Sequence, residues 1–189
     1  MRIFITKFTS KLTIYFRKMK KIKASETKAV MTEIVLPNDT NTLGNLMGGR
    51  LLHWMDICAA ISAHRFCKRV VVTASVNNVS FNNPIKLGDI VTLEARVSRS
   101  FRSSMEVFID VYVESNRTNS RIKCNDAIYT FVAVDQNGNP IEVPEVIPET
   151  EEDKKRYDGA LRRRQLSLIL AGRMKPEEAT ELKALFFNE

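Results

Sequence analysis

The chain has 189 residues, 44% of them hydrophobic, which suffices for the core of one domain with tails and not for two full domains. No apolar run approaches the roughly 18 residues of a membrane span, and three cysteines without a disulfide-like spacing favour a reducing compartment such as the cytoplasm. The net charge is +7, but residues 1–23 carry eight basic side chains and no acidic one. A nearly neutral body without a recognition motif argues against nucleic acid as a partner.

The first 25 residues form a basic tail or extension in this interpretation. Their apolar side chains recur at helical spacing with Lys and Arg between them, a pattern typical of a membrane-surface helix or an organelle transit peptide. An extension outside the working domain is the favoured reading, because loosely ordered segments concentrate at termini. We therefore expect no membrane contact through this tail, and a membrane anchor remains the alternative.

One long helix precedes a run of strands. The helix is predicted over residues 47–67, after a turn-rich loop over residues 37–45. Alternating or Val- and Thr-rich stretches predict strands over residues 28–36, 69–81, 90–98, 106–114 and 121–135. Thr150 with three acidic residues behind it is a helix-start signal, so a charged helix is expected to about residue 170, and a short one after Pro176.

These elements predict an α+β fold in which a twisted antiparallel sheet wraps one long central helix. Small side chains on the helix permit close approach of the sheet; they are Ala59, Ala60, Ser62 and Ala63. A single sheet of this kind leaves an edge strand and half of a substrate cleft exposed, so the chain is expected to pair with a second copy.

The start of the long helix carries the strongest chemical signal. Gly48 and Gly49 allow a tight turn and close approach to a ligand, and a helix beginning there directs unpaired N–H groups towards an oxyanion. Asp56 follows eight residues later. By helical spacing it shares a face with Leu52, Ala59, Ala60 and Ala63. We expect this carboxylate to be partly desolvated.

Several short sequence blocks around these residues have the order and spacing that a known protein family shows. The blocks are Asp39-Thr40-Asn41, Gly44-Asn45, Gly48-Gly49, Met55-Asp56, Val72-Thr73-Ala74-Ser75-Val76, Phe81 with Pro84, Gly88-Asp89, Arg102-Ser103-Ser104-Met105 and Tyr129-Thr130-Phe131-Val132-Ala133-Val134. Over residues 26–165 the chain resembles the acyl-CoA thioesterases of the hotdog fold. Pro148-Glu149-Thr150-Glu151 resembles the C-terminal extension of some members.

The resemblance implies a hotdog domain over residues 26–148, a helical extension over 149–189, and hydrolysis of acyl-CoA thioesters in fatty acid metabolism. It implies that Asp56 is the general base or nucleophile, and that Asn41 of the neighbouring subunit orients water or the thioester. Backbone N–H groups near Gly48 and Gly49 would polarise the carbonyl. Whether Asp56 attacks directly or through water stays open.

Coenzyme A also needs a surface for its phosphates. Arg102, Ser103 and Ser104 offer a guanidinium, two hydroxyls and backbone amides to phosphate, and a solvated hairpin is an equally good reading of them. No cofactor is expected beyond coenzyme A as part of substrate and product, and no metal, since paired CxxC or HExxH spacing is absent from the sequence. The expected assembly is a homo-oligomer of hotdog dimers, with a trimer of dimers as one arrangement.

Two other functions stay open. A non-catalytic acyl-CoA-binding protein would keep the same fold. A hydratase or dehydratase on acyl thioesters would need a histidine base in the cleft, and His53 and His64 lie on the long helix without the motif of those enzymes. The absence of a GxSxG elbow, a P-loop and GxGxxG excludes the corresponding hydrolase and nucleotide-binding classes.

Overall fold

The computed structural model describes residues 20–77, 79, 83–114 and 120–186. Two predicted features therefore lie in part outside the described residues: the tail, up to residue 19, and the end of the strand predicted over 69–81. None of the described helices combines the length and the apolar character that crossing a membrane requires.

The elements follow the predicted order closely. The helices are α1 (Gly48–Cys67), α2 (Glu151–Leu170) and α3 (Thr180–Lys183). The strands are β1 (Lys21–Lys23), β2 (Ala29–Ile34), β3 (Val70–Asn77), β4 (Ile90–Ser100), β5 (Ser104–Glu114), β6 (Arg121–Val134) and β7 (Glu145–Ile147).

Within the described residues, a five-stranded antiparallel sheet has the order β2-β4-β5-β6-β3. Strands β4, β5 and β6 are the longest and form its centre, while β2 and β3 are the edges. The sheet wraps α1, which contacts β2, β3, β4, β5 and β6. This arrangement confirms the predicted α+β architecture.

The core lies between α1 and the inner face of the sheet. Alternation puts every second residue of the central strands on that face, so Val107, Ile109 and Val111 of β5 are fully buried. From α1, Met55, Cys58, Ala59, Ala63 and Phe66 are fully buried against them. The small residues at positions 59 and 63 let helix and sheet approach closely, as the sequence predicts.

The C-terminal extension lies on the opposite, outer face. Helix α2 begins with a capping box in which the Asp153 N–H donates to Thr150 Oγ1 (3.0 Å) and the Thr150 N–H donates to Asp153 Oδ2 (3.0 Å). Arg163 then makes a bidentate contact with Glu106 of β5, at 2.9 and 2.7 Å. Ion pairs therefore fix the helix over the centre of the sheet.

The residues just before the predicted domain also pack on it. Lys21–Lys23 belong to the predicted tail, yet they form β1, which pairs in parallel with β7. Ile22 is only 8% exposed, and Lys21 and Lys23 pair with Glu145 and Glu149 at 3.2 and 3.3 Å. A single apolar side chain between lysines was too weak a signal to predict a strand. The described packing begins near residue 20, earlier than the boundary drawn from the sequence.

Candidate active site

Asn41 lies in the loop before α1 and is exposed. Its Oδ1 accepts hydrogen bonds from the N–H groups of Leu43 (2.9 Å) and Asn45 (3.2 Å), which makes an Asx turn. Gly44 supplies the left-handed residue of this turn at φ +71°. The loop therefore holds the Asn41 side chain in one orientation, with its amide nitrogen bonded to no other described residue.

Asp39 ties this loop to the first turn of the helix. It is 3% exposed, and its Oδ1 lies 2.7 Å from Nε of Arg50, while its Oδ2 accepts from the Leu36 N–H at 3.0 Å. Its carbonyl accepts from the Met47 N–H at 2.9 Å. These contacts fix where the helix begins relative to Asn41.

Helix α1 begins at Gly48, but the glycines do not serve a tight turn. Their φ values are not positive, so any residue could adopt this backbone; the positive φ in this region is that of Gly44, within the predicted turn-rich loop. The N–H groups of Gly48 and Gly49 lack partners among the described residues, as expected for the first turn of a helix. A Cβ at Gly49 would meet open space, so a larger side chain could be accommodated at this position.

Asp56 lies at the margin of α1 where the helix meets edge strand β3. Its side chain is half-buried, as expected from the sequence, beside the partly buried Leu52 and Ala60. The hydroxyl of Thr73 in β3 donates to Asp56 Oδ1 at 2.7 Å. The second oxygen, Oδ2, has no hydrogen bond to any other described group, so one oxygen is oriented and the other remains available.

A bulge in β3 lies at this contact. Thr73 pairs with Phe131 of β6, and Ser75 pairs with Thr130, so Ala74 is the additional residue. Bulges change the direction of neighbouring side chains and are common next to active sites. Thr73 was not among the predicted site residues. Its position in the Val72–Val76 block was the available signal, but pairing it with Asp56 depends on the strand register.

Tyr129 of β6 lies beneath the turn of α1 that carries Asp56. It is 1% exposed, and its hydroxyl donates to the Leu52 carbonyl at 3.1 Å. That carbonyl is one helical turn before Asp56. Burial, and secondarily the charge of Asp56, raise the pKa of Tyr129 to about 12. The phenol therefore stays protonated near neutral pH and can keep donating this bond.

The structure does not join Asn41 and Asp56 by a contact within one chain. Beside Asp56, edge strand β3 and α1 expose apolar side chains. They are Ile57 (39% exposed), Ile61 (40%), Val70 (64%), Val72 (47%) and Val76 (43%). Edge strands and apolar patches of this kind are typical of association surfaces.

The predicted coenzyme A residues form the β4–β5 hairpin. Arg102 is 87% exposed at its side chain and lies 3.6 Å from Glu142, which is also exposed. Ser103 is half-buried, and Ser104 is buried with its Oγ accepting a 3.1 Å hydrogen bond from Arg164 of α2. The structure therefore brings Ser104 together with the extension, while Arg102 points to solvent.

Within the described ranges, no group of three His, Cys, Asp or Glu side chains could hold a metal ion. Cys58, Cys67 and Cys124 are free and buried. Burial raises the pKa of Cys58 and of Cys124 to about 11, so these thiols are neutral near pH 7.

Known proteins share both the sequence and this fold. The model of the thioesterase superfamily matches residues 43–120. The uncharacterised acyl-CoA thioester hydrolase YkhA of Bacillus subtilis is 45% identical over 138 residues, which cover 73% of this chain and 80% of that protein. This chain belongs to the acyl-CoA thioester hydrolases of the hotdog fold. The predicted family, fold and enzyme class are thereby confirmed.

Solved structures of such hydrolases superpose on the chain. A hexameric acyl-CoA thioesterase without ligand matches with a TM-score of 0.78 and 36% identity, covering 81% of this chain and 98% of that one. An acyl-CoA hydrolase from Staphylococcus aureus, solved with butyryl coenzyme A, coenzyme A and coenzyme A disulfide, matches with a TM-score of 0.75 and 36% identity, covering 81% and 95%.

The Staphylococcus aureus hydrolase has also been solved as three single-residue variants. They replace an asparagine, an aspartate 15 positions later and a threonine 17 positions after that with alanine. In the present chain, Asn41, Asp56 and Thr73 are separated by the same 15 and 17 positions.

Proposed function

We propose that this enzyme hydrolyses acyl-CoA thioesters to a free acid and coenzyme A, with Asp56 as general base or nucleophile. The observation that carries the proposal is the half-buried Asp56 carboxylate, with one oxygen bound by Thr73 at 2.7 Å and the other available. A base takes the proton of a water that attacks the carbonyl carbon, whereas a nucleophile attacks that carbon itself. On the base route the C–S bond then breaks and the thiol leaves with that proton. On the nucleophile route the C–S bond breaks as a mixed anhydride of Asp56 and the acyl group forms; water then hydrolyses the anhydride to the acid and free Asp56, and the thiolate takes up a proton that this hydrolysis releases.

Thr73 and the helix start complete the proposed machinery. The Thr73 hydroxyl is the donor of this hydrogen bond and fixes the direction of the carboxylate. The unpartnered N–H groups of Gly48 and Gly49, at the positive end of α1, would donate to the oxyanion that develops on the thioester. Stabilisation of the oxyanion would use backbone N–H groups, so this role does not require glycine at positions 48 and 49.

The second half of each site would come from a partner subunit. Asn41 has no contact with Asp56 in its own chain, and the exposed apolar face beside Asp56 provides a surface for a second copy. We infer a homo-oligomer of hotdog dimers, with a trimer of dimers as the assembly that agrees with a hexameric relative. In it, Asn41 of the neighbouring subunit would orient water or the thioester near Asp56.

The β4–β5 hairpin with Arg102, Ser103 and Ser104 would bind coenzyme A, since the Arg102 side chain is exposed to solvent and its 3.6 Å ion pair with Glu142 is exposed too. No cofactor or metal has a role in this mechanism. We place the enzyme in fatty acid metabolism of the cytoplasm, a reducing compartment that suits three free cysteines.

Changing Asp56→Asn tests the assignment most directly. General base or nucleophilic catalysis contributes about 10²–10⁴-fold, so we expect kcat to fall by that factor while coenzyme A still binds. The measurement is thiol release from a panel of acyl-CoA chain lengths. The matched control is Asp158→Asn, which removes the same charge from the exposed side of α2. Turnover of the Asp56 variant within twofold of the control would refute the assignment.

A single turnover in water labelled with heavy oxygen tests for the nucleophile route. If Asp56 attacks the carbonyl itself, a mixed anhydride forms; water that attacks its Asp56 carbonyl leaves the label in the protein, and water that attacks its acyl carbonyl leaves the label in the acid. If water attacks the thioester directly, the label enters the acid alone. Label in the peptide that contains Asp56, found by mass spectrometry, therefore identifies Asp56 as the nucleophile.

Mixing two inactive variants tests the shared site. If Asn41 and Asp56 act across subunits, a hybrid of Asn41→Ala and Asp56→Asn chains holds one intact site and one doubly damaged site. We expect recovery of up to about half the activity of an intact oligomer in each hybrid dimer. Subunit exchange proved by mass spectrometry, without recovery, would put both residues in the site of one chain.

A further inference from the structure

The arginines between α2 and the outer face of the sheet fall into two sets. Those of the first set, Arg96, Arg156 and Arg163, lie 3.3, 2.8 and 2.7 Å from carboxylates of Asp153, Asp110 and Glu106. Those of the second set, Arg99, Arg164 and Arg173, form no salt bridge with any residue that the structure describes. Charge compensation is therefore complete on one part of this face and missing on the neighbouring part.

Arg164 is the centre of the unpaired set. It is half-buried, unlike a solvated surface arginine, and its polar partner is the neutral hydroxyl of Ser104 at 3.1 Å. Its guanidinium stacks over the ring of Phe101, 4.2 Å from the ring centre. Burial, and then the charge of Arg173, lower the pKa of Arg164. A half-buried cation beside a second cation gains stability from an anion.

The fold brings Arg99 to the same ring. Arg99 of β4 has its guanidinium 5.9 Å from the centre of the Phe101 ring and 4.1 Å from the centre of the Tyr157 ring. Gly172, at φ +66°, ends α2 with a left-handed turn in which the Arg173 N–H donates to the Leu168 carbonyl at 2.8 Å. Arg173 therefore follows directly after the helix that carries Arg164.

We propose that Arg99 and Arg164 at the Phe101 ring, together with Arg173 of the turn after α2, form a binding site for a phosphate group. Guanidinium groups present planar pairs of donors that match phosphate oxygens, and none of these three is neutralised by a described carboxylate. The phosphate can belong to coenzyme A or to a free phosphate compound. The assignment of this phosphate to coenzyme A rests on the proposed function and deepens it, since Ser104 of the hairpin contacts Arg164. The phosphate site itself does not depend on Asp56.

Calorimetric titration tests the site on the full chain. The probes are coenzyme A, dephospho-coenzyme A and inorganic pyrophosphate, each titrated into the wild type and into Arg164→Gln, Arg173→Gln and Arg162→Gln. Arg162 is the matched control, because it is a half-buried arginine of the same helix that lines the groove between α2 and α3. Loss of a charge-assisted hydrogen bond predicts about tenfold weaker binding in the Arg164 variant and a several-fold loss in the Arg173 variant. The control should stay within twofold.

The probes separate the possible occupants. Weaker binding of coenzyme A in the Arg164 variant, with dephospho-coenzyme A unchanged, assigns the site to the phosphate that dephospho-coenzyme A lacks. A loss for both assigns it to the diphosphate of the substrate. A loss for pyrophosphate alone assigns it to a free phosphate compound.

Equal affinities of all three probes in the Arg164, Arg173 and Arg162 variants would overturn the proposal. Circular dichroism melts check that the Arg164 variant is folded, and the exposed Arg173 provides a second variant if it is not. Because the readout is binding, it remains informative even if Asp56→Asn retains turnover. A failure of this site and a failure of the catalytic assignment are therefore distinguishable.

Discussion

The two faces of the sheet are held to their helices by different physics, and β5 shows both within one strand. Its inner residues Val107, Ile109 and Val111 are fully buried against α1. Its outer residues Glu106 and Asp110 are buried at 5% and 7% exposure, and they pair with arginines of α2. Apolar burial is not directional, whereas ion pairs need their partners and respond to pH and salt. Helix α1 is therefore expected to stay in place under conditions that loosen the extension.

The largest effect is expected on the inner face, from Ile109→Ala. Removing a fully buried isoleucine leaves a cavity under α1 and should lower the free energy of unfolding by about 2–5 kcal/mol. Urea unfolding followed by circular dichroism measures it. The control is Ile122→Ala in β6, which is 52% exposed and should change stability by less than about 0.5 kcal/mol. Equal losses in the two variants would contradict the assignment of the inner face as the core.

A smaller effect is expected on the outer face, from Asp153→Ala. This change removes the acceptor of the capping box and the 3.3 Å ion pair with Arg96. We therefore expect the free energy of unfolding to fall by about 1–2 kcal/mol at pH 7. Lys154→Ala, which removes an exposed cation one position further along α2, serves as the control. A loss in the Asp153 variant no greater than in the control would show that the cap contributes nothing.

The Asp153 contribution should also depend on pH. Burial by itself raises the pKa of Asp153, but hydrogen bonds from Thr150 and Glu149 and the charge of Arg96 outweigh it, and the pKa is lowered. A carboxyl whose pKa is lower in the folded chain stabilises it above the unfolded pKa, about 3.9, and loses this contribution as pH falls through the folded pKa. The difference between wild type and Asp153→Ala should therefore shrink below about pH 4. An unchanged difference from neutral to strongly acidic pH would contradict this.

The smallest effect is expected from removing the first 19 residues. The described packing of the domain begins near Lys20, so turnover, oligomer size and the unfolding midpoint should be unchanged. Removal of residues 1–23 is the informative comparison, because it also deletes β1 and the buried Ile22. We expect that deletion to lower the free energy of unfolding by about 1.5–3 kcal/mol. If the shorter deletion alone changed activity or assembly, the tail would have to contact the domain.

The sequence predicted the elements well where periodicity is strong. The helix over 47–67 and the strands over 90–98, 106–114 and 121–135 agree with α1, β4, β5 and β6 to within a few residues. It missed β1 and β7, because strands of three residues with one buried side chain carry too little pattern. The positive φ that glycine allows is found at Gly44 and not at Gly48 or Gly49, because glycine permits an unusual backbone conformation without requiring it.

The candidate site was predicted residue by residue and incompletely. Asp56, Asn41 and the helix start were recognisable from the motif around them, and their catalytic roles remain predictions. Thr73 could not be paired with Asp56, because that contact requires the bulge at Ala74 and the pairing of β3 with β6. Spacing alone could not predict the hydrogen bond from Arg164 to the Ser104 hydroxyl, since the two residues are 60 positions apart.

The sequence by itself determined the family, the order of the elements and the helix that carries Asp56, since these follow from local patterns of side chains along the chain. Only the tertiary structure decided which side chains are in contact: Thr73 with Asp56, Tyr129 with the turn before Asp56, and Arg163 with a carboxylate, whereas Arg164 pairs with no carboxylate of the described residues. Periodicity fixes the direction of a side chain relative to its own helix or strand. Which distant residue lies in that direction depends on strand register and helix placement, and these are set by the packing of the whole domain.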